Sequence, residues 1–493
     1  MMAQTKDYYS MLGLPRTATA DEIRQSYYEA ARRLHPDTNT APGDTEFFLD
    51  IQQAYEVLSN PKKRAKYDLS LPPEITPTYP LDQRLIFSRP NLVHLEEPQL
   101  VYAILDISPP VNLQRQVFPA MNLCLVLDRS TSMQGGSMEQ VKATAVQIMH
   151  KLKPNDIFSV VAFSDRAEVI IPASHTTDIS RLEARIQMLQ TSGGTEIFSG
   201  LDMGYNEIIR NVDRSKVNHI ILLTDGRTYG DEDRCLDLAR RAARHGIGIS
   251  GLGIGPEWND NLLDGLASAT GGSSIYISKP QDIQKALFDK FNQLGRTYAE
   301  ETRLKFKVPE GVELRYAFRI HPEAGILSNE SPILLGPVIR ETGLRMLMEF
   351  VVQPEAVRRK SIILLDGTLS ANLTDGPNQT QPIPVKLTRP VSDDAGTDYP
   401  PSEIVDALSQ LKLYRLQEQA RIEVSAGDFK QASEHLQHLA THLLAQGERG
   451  LARTALLEAE HILQEKSFSQ EGRKEIKYGT RALLMSGRRS EEQ

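Results

Sequence analysis

Cysteine is nearly absent: Cys124 and Cys235 are the only two in 493 residues. Two thiols cannot build a disulfide framework or the zinc sites of a cysteine-rich region, and each sits in an apolar pattern, so both are expected to be small core residues in a reducing compartment. Long apolar runs are missing too. Nothing approaches the roughly 18 residues of a spanning helix, and the amino terminus, Met-Met-Ala-Gln-Thr-Lys-Asp-Tyr-Tyr, has no apolar signal core. A cytoplasmic protein with no membrane partner is expected. A basic excess is the third absence: a formal charge of −8 argues against a nucleic-acid partner, which needs concentrated Lys and Arg. What the chain does have is length, enough for about three domains at roughly 150 residues each.

The most informative stretch is Asn122-Leu-Cys-Leu-Val-Leu-Asp128-Arg-Ser130-Thr-Ser132-Met133, an apolar run that ends abruptly in oxygen donors. Such a run fits a strand buried on both faces of a parallel sheet, and in open α/β sheets ligands bind beyond the carboxyl ends of strands. Val217-Asn-His-Ile-Ile-Leu-Leu-Thr-Asp225-Gly226 repeats the device, and Ser192-Gly193-Gly194-Thr195 between them adds a third hydroxyl. Two Asp and three hydroxyls suit a small hard cation such as Mg2+, with Mn2+ or Ca2+ as alternatives; there is no thiolate or imidazole for zinc. Taken singly, Asp-Gly is a turn signal and Ser-Thr-Ser a helix cap. Their order on strand ends makes them more than that.

These residues resemble the von Willebrand factor A domain family and its metal-ion-dependent adhesion site, written Asp-x-Ser-x-Ser, a remote Thr and a remote Asp-Gly. Asp128, Ser130, Ser132, Thr195 and Asp225 fill all five positions. The resemblance implies a cation that keeps one coordination position for a carboxylate from a protein partner, hence binding rather than catalysis.

Residues 7–68 read as compact and helical. Ile23, Tyr27, Ala30, Ala31 and Leu34 make one apolar stripe, and Phe48, Ile51, Ala54, Tyr55 and Leu58 a second, so two antiparallel helices are expected with His35-Pro36-Asp37 in the loop between them. Proline and aspartate alone would account for that loop as a turn. Asp7-Tyr8-Tyr9-x-x-Leu12-Gly13-Leu14 before it, and Ala54-Tyr55-Glu56-Val57-Leu58 and Lys62-Lys63-Arg64-x-x-Tyr67-Asp68 after it, complete a resemblance to a J domain. That resemblance implies docking on a seventy-kilodalton heat-shock chaperone and stimulation of its ATPase through His35, Pro36 and Asp37. It also implies a basic face on the preceding helix, where Arg24, Arg32 and Arg33 are present but Gln25, Tyr28 and Glu29 stand where basic residues are usual.

The remaining chain sorts by pattern. A Pro-rich linker is expected over 71–84 after the J domain at 5–70. Strand-like runs at 85–118 return at 296–392, which predicts a discontinuous β-sandwich, with an α/β doubly wound von Willebrand A domain at 119–295 inserted in or flanked by it. A helical region at 400–487 follows, with Ser402 as a first cap, Gly427-Asp428 as a stop and a new cap, and a large-and-small patterning loosely similar to tetratricopeptide helices. Two motifs are decoys. Gly246-Ile-Gly248-Ile-Ser-Gly251 matches a dinucleotide loop literally but lies in a strand, and His438 with His442 has zinc-pair spacing without the Glu a metalloprotease helix requires. No positioned base or nucleophile accompanies the acidic corners, so no enzyme is expected. Arg129 and Arg227 flank those corners and could guide an anionic partner, against the plainer reading of solvated surface. The sequence therefore points to a cochaperone-like adaptor. The alternative is a metal-dependent scaffold of a multiprotein complex, such as one built on a ring ATPase, without chaperone stimulation.

Overall fold

In the computed structural model the described residues are 8–12, 14, 18–34, 44–70, 79–110, 118–175, 178–228, 230–358, 360–374, 380–393 and 399–486. The chain divides into two compact units, Met1–Thr78 and Tyr79–Gln493. The first holds four helices: α1 (Tyr8–Met11), α2 (Ala20–Leu34), α3 (Asp44–Leu58) and α4 (Pro61–Ser70). Ile23 from one expected stripe and Ile51, Ala54 and Leu58 from the other are buried together, and Tyr27 stacks on Tyr55 with ring centroids 4.1 Å apart. The two motifs at the ends of this unit are each other's partners. Tyr8 N donates to Tyr67 Oη (2.8 Å), Tyr9 Oη to Asp68 (2.7 Å), and Arg64 to Tyr9 Oη (2.8 Å) and Ala18 O (2.7 Å).

The second unit begins with β1 (Asp82–Phe87), β2 (Leu92–Val93) and β3 (Gln99–Ser108). The expected linker over 71–84 is thus too long at its end: Leu81 is already buried and β1 has started, because alternating residues from Leu81 onward reach an apolar core. An α/β layer follows, with β4 (Met121–Asp128), α5 (Gly136–Lys151), β5 (Ile157–Phe163), β6 (Ala167–Ser174), α6 (Ile179–Gln187), α7 (Ile197–Ile209), β7 (Val217–Thr224), α8 (Glu232–Arg244), β8 (Ile247–Ile254), α9 (Asp260–Thr270), β9 (Ser274–Ile277) and α10 (Ile283–Leu294). Helix α8 shows how these elements arise: Cys235, Leu238, Ala239 and Ala242 form the buried stripe, while Glu232 and Asp233 in the first turn and Arg241 and Arg244 in the last complement the helix dipole.

The strand order of this layer is β6-β5-β4-β7-β8-β9, parallel except for β6. Every residue of β4, β7 and β8 is buried, as expected of strands covered by helices on both faces. The chain runs outward from β4 to β5 on one side and resumes at β7 on the other, so the reversal lies between β4 and β7. That is where an open sheet leaves a crevice at its carboxyl edge.

The chain then returns to the sandwich with β10 (Thr297–Lys307), β11 (Val312–His321), β12 (Gly325–Leu327), β13 (Ile333–Ile339), β14 (Leu344–Val352), β15 (Ser361–Leu373) and β16 (Ile383–Ser392). One sheet has the order β1-β3-β14-β11-β12 and the other β13-β10-β15-β16-β2. Both contain strands from before and after the α/β layer, so that layer interrupts the sandwich in sequence. Arg345 fixes one such pairing through two bonds to Asp106 (2.5 and 2.7 Å).

Four helices finish the unit: α11 (Ser402–Ala426), α12 (Phe429–Ala445), α13 (Arg449–Glu465) and α14 (Gln470–Ser486). Ser402 is not the cap; Pro401 holds that position and no side chain caps the helix, which Pro401's extended backbone starts instead. Asp428 does cap α12, accepting from Gln431 N. Ile404, Ala407, Leu411 and Tyr414 of α11 pack on Ile86, Ile104, Phe318 and Leu347 of the sandwich. Helix α14, within the helical region expected over 400–487, lies instead on the α/β layer, a docking the sequence did not signal. Its Tyr478 sits 5.6 Å from the Trp258 ring, and Lys477 and Arg481 pair with Asp264 at 2.8 and 2.9 Å. No described helix is long and apolar enough to cross a membrane.

Candidate metal and partner site

Asp128 ends β4 with no exposure, accepting Ser130 N on one oxygen (2.8 Å) and the Thr224 hydroxyl on the other (2.6 Å). Ser130 Oγ lies 3.0 Å from Ser132 Oγ, and Ser132 Oγ donates to Asp225 Oδ1 at 2.7 Å. Thr195 closes the group from the other side: a Cβ on Gly226 would stand 2.7 Å from Thr195 Oγ1, so only glycine lets the Asp225 corner approach that hydroxyl. All five residues expected from the sequence therefore meet at the β4/β7 crevice. Three of them, Ser132, Thr195 and Asp225, line a pocket of about 470 Å³ together with Ser137, Arg227 and the Ile254–Glu257 stretch, and Asp128 and Ser130 are buried beneath them.

The loop carrying Thr195 is fixed by backbone bonds to the Asp128 corner. Ser192 N donates to Arg129 O (2.8 Å), Thr131 N to Gly193 O (3.1 Å), and Gly194 N to Asp165 (2.8 Å). Below it, Ile197 N and Phe198 N, at the start of α7, find Thr228 (3.2 Å) and Asp231 (2.9 Å), side chains from beyond the Asp-Gly corner. Thr224, Asp165, Thr228 and Asp231 were not picked out from the sequence. Thr224 carried a signal, since it directly precedes Asp225 on the strand end; the others are recognisable only once the loops meet.

Burial dominates the electrostatics. It pushes the Asp128 carboxyl up to about 6, against the lowering effect of the Thr224 and Ser130 bonds and with a small push from Asp225. Burial raises Asp225 as well, opposed by Ser132 and its own backbone. Two carboxylates held near one another against their preference for water are relieved by a cation between them. The donor set consists of carboxylate and hydroxyl oxygens, with no cluster of three or more His, Cys, Asp and Glu among the described residues. Such a set fits a hard divalent ion with open positions better than a soft one.

The other sequence-derived candidates fall as follows. His35, Pro36 and Asp37 lie outside the described residues, as do the side chains of Arg32 and Arg33; Arg24, Gln25 and Tyr28 are exposed on α2. Arg129 is half-buried with Glu168 at 3.9 Å, and Arg227 is exposed, as the plainer reading has it, with bonds to Glu257 O and Gln470. Gly248 and Gly251 sit inside β8, where side chains would strike His219 and Leu263, so the glycine pattern serves packing. His435 of α12 contacts Glu423 at 2.7 Å, a polar rim beside the apolar stripe.

Comparison with known proteins matches three regions of the chain. Residues 7–68 match the DnaJ domain model and residues 122–290 the von Willebrand factor type A domain model. The chain carries a DnaJ domain and a von Willebrand factor type A domain. Its last helices, residues 402–486, match the Sll0103-like C-terminal alpha-helical domain. The uncharacterized protein sll0103 of Synechocystis sp. is 37% identical over 183 residues, 36% of this chain and 43% of that protein. The chaperone protein DnaJ of Dictyoglomus thermophilum is 55% identical over 67 residues, 14% of this chain and 17% of that one. The chain thus spans less than half the length of these curated relatives. A von Willebrand factor type A structure from Catenulispora acidiphila covers 82% of the chain and 98% of its own, with a TM-score of 0.65 at 15% identity, a likeness of fold.

Proposed function

We propose that the protein is a cochaperone-like adaptor. Its DnaJ domain recruits a seventy-kilodalton heat-shock chaperone and stimulates its ATPase, and its von Willebrand A site, loaded with a divalent cation for which Mg2+ is the first choice, holds a protein partner through an acidic side chain. The observation that carries the reading is the convergence of Asp128, Ser130, Ser132, Thr195 and Asp225 at one crevice, three of them lining its pocket, in a chain that also bears a DnaJ domain. Asp128, Ser130 and Ser132 from the β4 corner, Thr195 and Asp225 would hold the cation. Mainly neutral hydroxyls leave it electrophilic, which suits capture of an external carboxylate. The site is read as a binding site, not an enzyme's, and the protein as cytoplasmic. Tethering two binding events makes the second intramolecular and raises the local concentration of chaperone at the partner.

The test is steady-state ATP hydrolysis by the source organism's heat-shock chaperones with the full chain and its His35→Gln variant. Stimulation that disappears in the variant supports the reading. One observation favours the alternative of a scaffold, such as one on a ring ATPase: Gln25 and Tyr28 are exposed on α2 where the family's basic face would lie. No stimulation by any chaperone of the organism would select it.

A further inference from the structure

Arg227 leaves β7 two residues after Asp225 and lines the same pocket as Thr195 and Asp225. Its guanidinium donates to Glu257 O (2.8 Å) and to Gln470 Oε1 at the start of α14 (3.0 Å). One turn further along that helix, Lys474 has no exposure and donates to Pro256 O and Trp258 O at 2.5 and 2.6 Å. The pocket wall from Ile254 to Glu257 is therefore pinned to the C-terminal helix.

Both acceptors of Arg227 are neutral. Among the described residues no carboxylate lies within ion-pair distance of it, whereas Arg129 has Glu168, and Arg473, Lys477 and Arg481 of α14 have Asp260 and Asp264. A guanidinium whose fork is fixed by neutral acceptors, with no carboxylate in direct contact, is prepared to receive an anion with little further ordering.

We propose that Arg227 is a specificity residue of this site: it takes a second negative charge next to the carboxylate on the cation, so that the partner presents an acidic pair on one segment. This rests on the metal-dependent capture proposed above. The pocket's own acids, Asp225 and Glu257, would repel a doubly acidic segment in the absence of the cation, so the preference is metal-dependent as well. Gln470 and Lys474 act as positioning residues, which gives the C-terminal helices a part in recognition although they supply no cation ligand. One charge contact at a partly open rim corresponds to a preference of roughly threefold to tenfold.

The experiment uses the full chain in Mg2+ and two synthetic Gly/Ser peptides, one with a single Glu and one with Glu-Glu, read by fluorescence anisotropy. The wild type is expected to prefer the pair. Arg227→Gln should still bind in Mg2+ but take both peptides equally. Gln470→Glu, which sets a carboxylate against the guanidinium from outside the pocket, should also erase the preference. A preference that survives in Arg227→Gln, or a loss of both peptides alike, overturns the assignment. If the wild type binds neither peptide, or binds them equally well in chelator, metal-dependent capture itself has failed and the role of Arg227 falls with it.

Discussion

Ser132 Oγ donates to Asp225 Oδ1 at 2.7 Å, joining the ends of β4 and β7 across 93 residues of sequence. Each residue sits on a different side of the strand-order reversal, so this bond spans the crevice that a cation would occupy. It is the arrangement on which the proposed cation site depends.

Replacing Ser130 and Ser132 together by Ala should leave the fold intact and remove cation binding. In the wild type, Mg2+ at a hundredfold excess over its Kd should stabilise the protein by roughly 2.7 kcal/mol, visible as a rise in Tm. The double variant should melt at one temperature with and without Mg2+. A Tm shift that persists in it would show that these hydroxyls are not ligands.

Gly226→Ala tests the approach of the two corners. A methyl group 2.7 Å from Thr195 Oγ1 must push the threonine loop away from Asp225. Mg2+ affinity, measured by calorimetry, should fall at least about tenfold, while strain of this kind costs about 1–3 kcal/mol of stability. Unchanged affinity would remove Thr195 from the site.

The docking of α14 carries a pH signature. Burial alone would raise Asp260 and Asp264, but Lys477 and Arg473 around the first, and Arg481 and Lys477 around the second, outweigh it and hold both carboxyls below the usual range. Because the folded values lie below the unfolded ones, near about 3.9, this stabilisation is fully present above that pH and is lost as pH falls through the depressed folded values. Asp264→Asn should cost about 3 kcal/mol at neutral pH, leaving Arg481 poorly compensated, and should flatten the acid limb of the stability curve. Urea melts of both proteins between pH 3 and pH 7 measure this; parallel curves would contradict it.

In the amino-terminal unit, Arg64→Ala removes the donor shared by Tyr9 Oη and Ala18 O. A loss of about 1.5–3 kcal/mol is expected for bonds from a charged group. Hydrogen exchange should show faster opening of residues 18–34 and 44–70, with residues 79–486 unaffected because they form a separate unit.

The features legible in the sequence were those with local signatures. The apolar runs ending in Asp128 and Asp225 named both strand ends, and three- and four-residue spacing named the stripes of α2 and α3, because backbone period and burial coincide there. What stayed hidden depends on distant partners. Short β2 and β12 are strands only because β16 and β11 offer edges to pair with. Helix α14 carries Arg473, Lys477 and Arg481, whose partners Asp260 and Asp264 lie more than 200 residues earlier, so nothing local marks where it docks. Arg227 read as solvated surface and is exposed, but the hold on its guanidinium stayed hidden because its acceptors, Glu257 O and Gln470, lie 30 and 243 residues away.

The interrupted sandwich also sets a timetable for synthesis. Asp106 on β3 meets Arg345 on β14 only after another 239 residues have been added. At about 5–20 residues per second, β3 waits roughly 10–50 s for its neighbour. During that interval its apolar face, Val101, Ala103, Leu105 and Ile107, has no finished core to pack into. A nascent chain of this protein is therefore itself exposed to aggregation for longer than a contiguous sandwich would be, and translation speed across residues 109–343 should govern its yield of folded product.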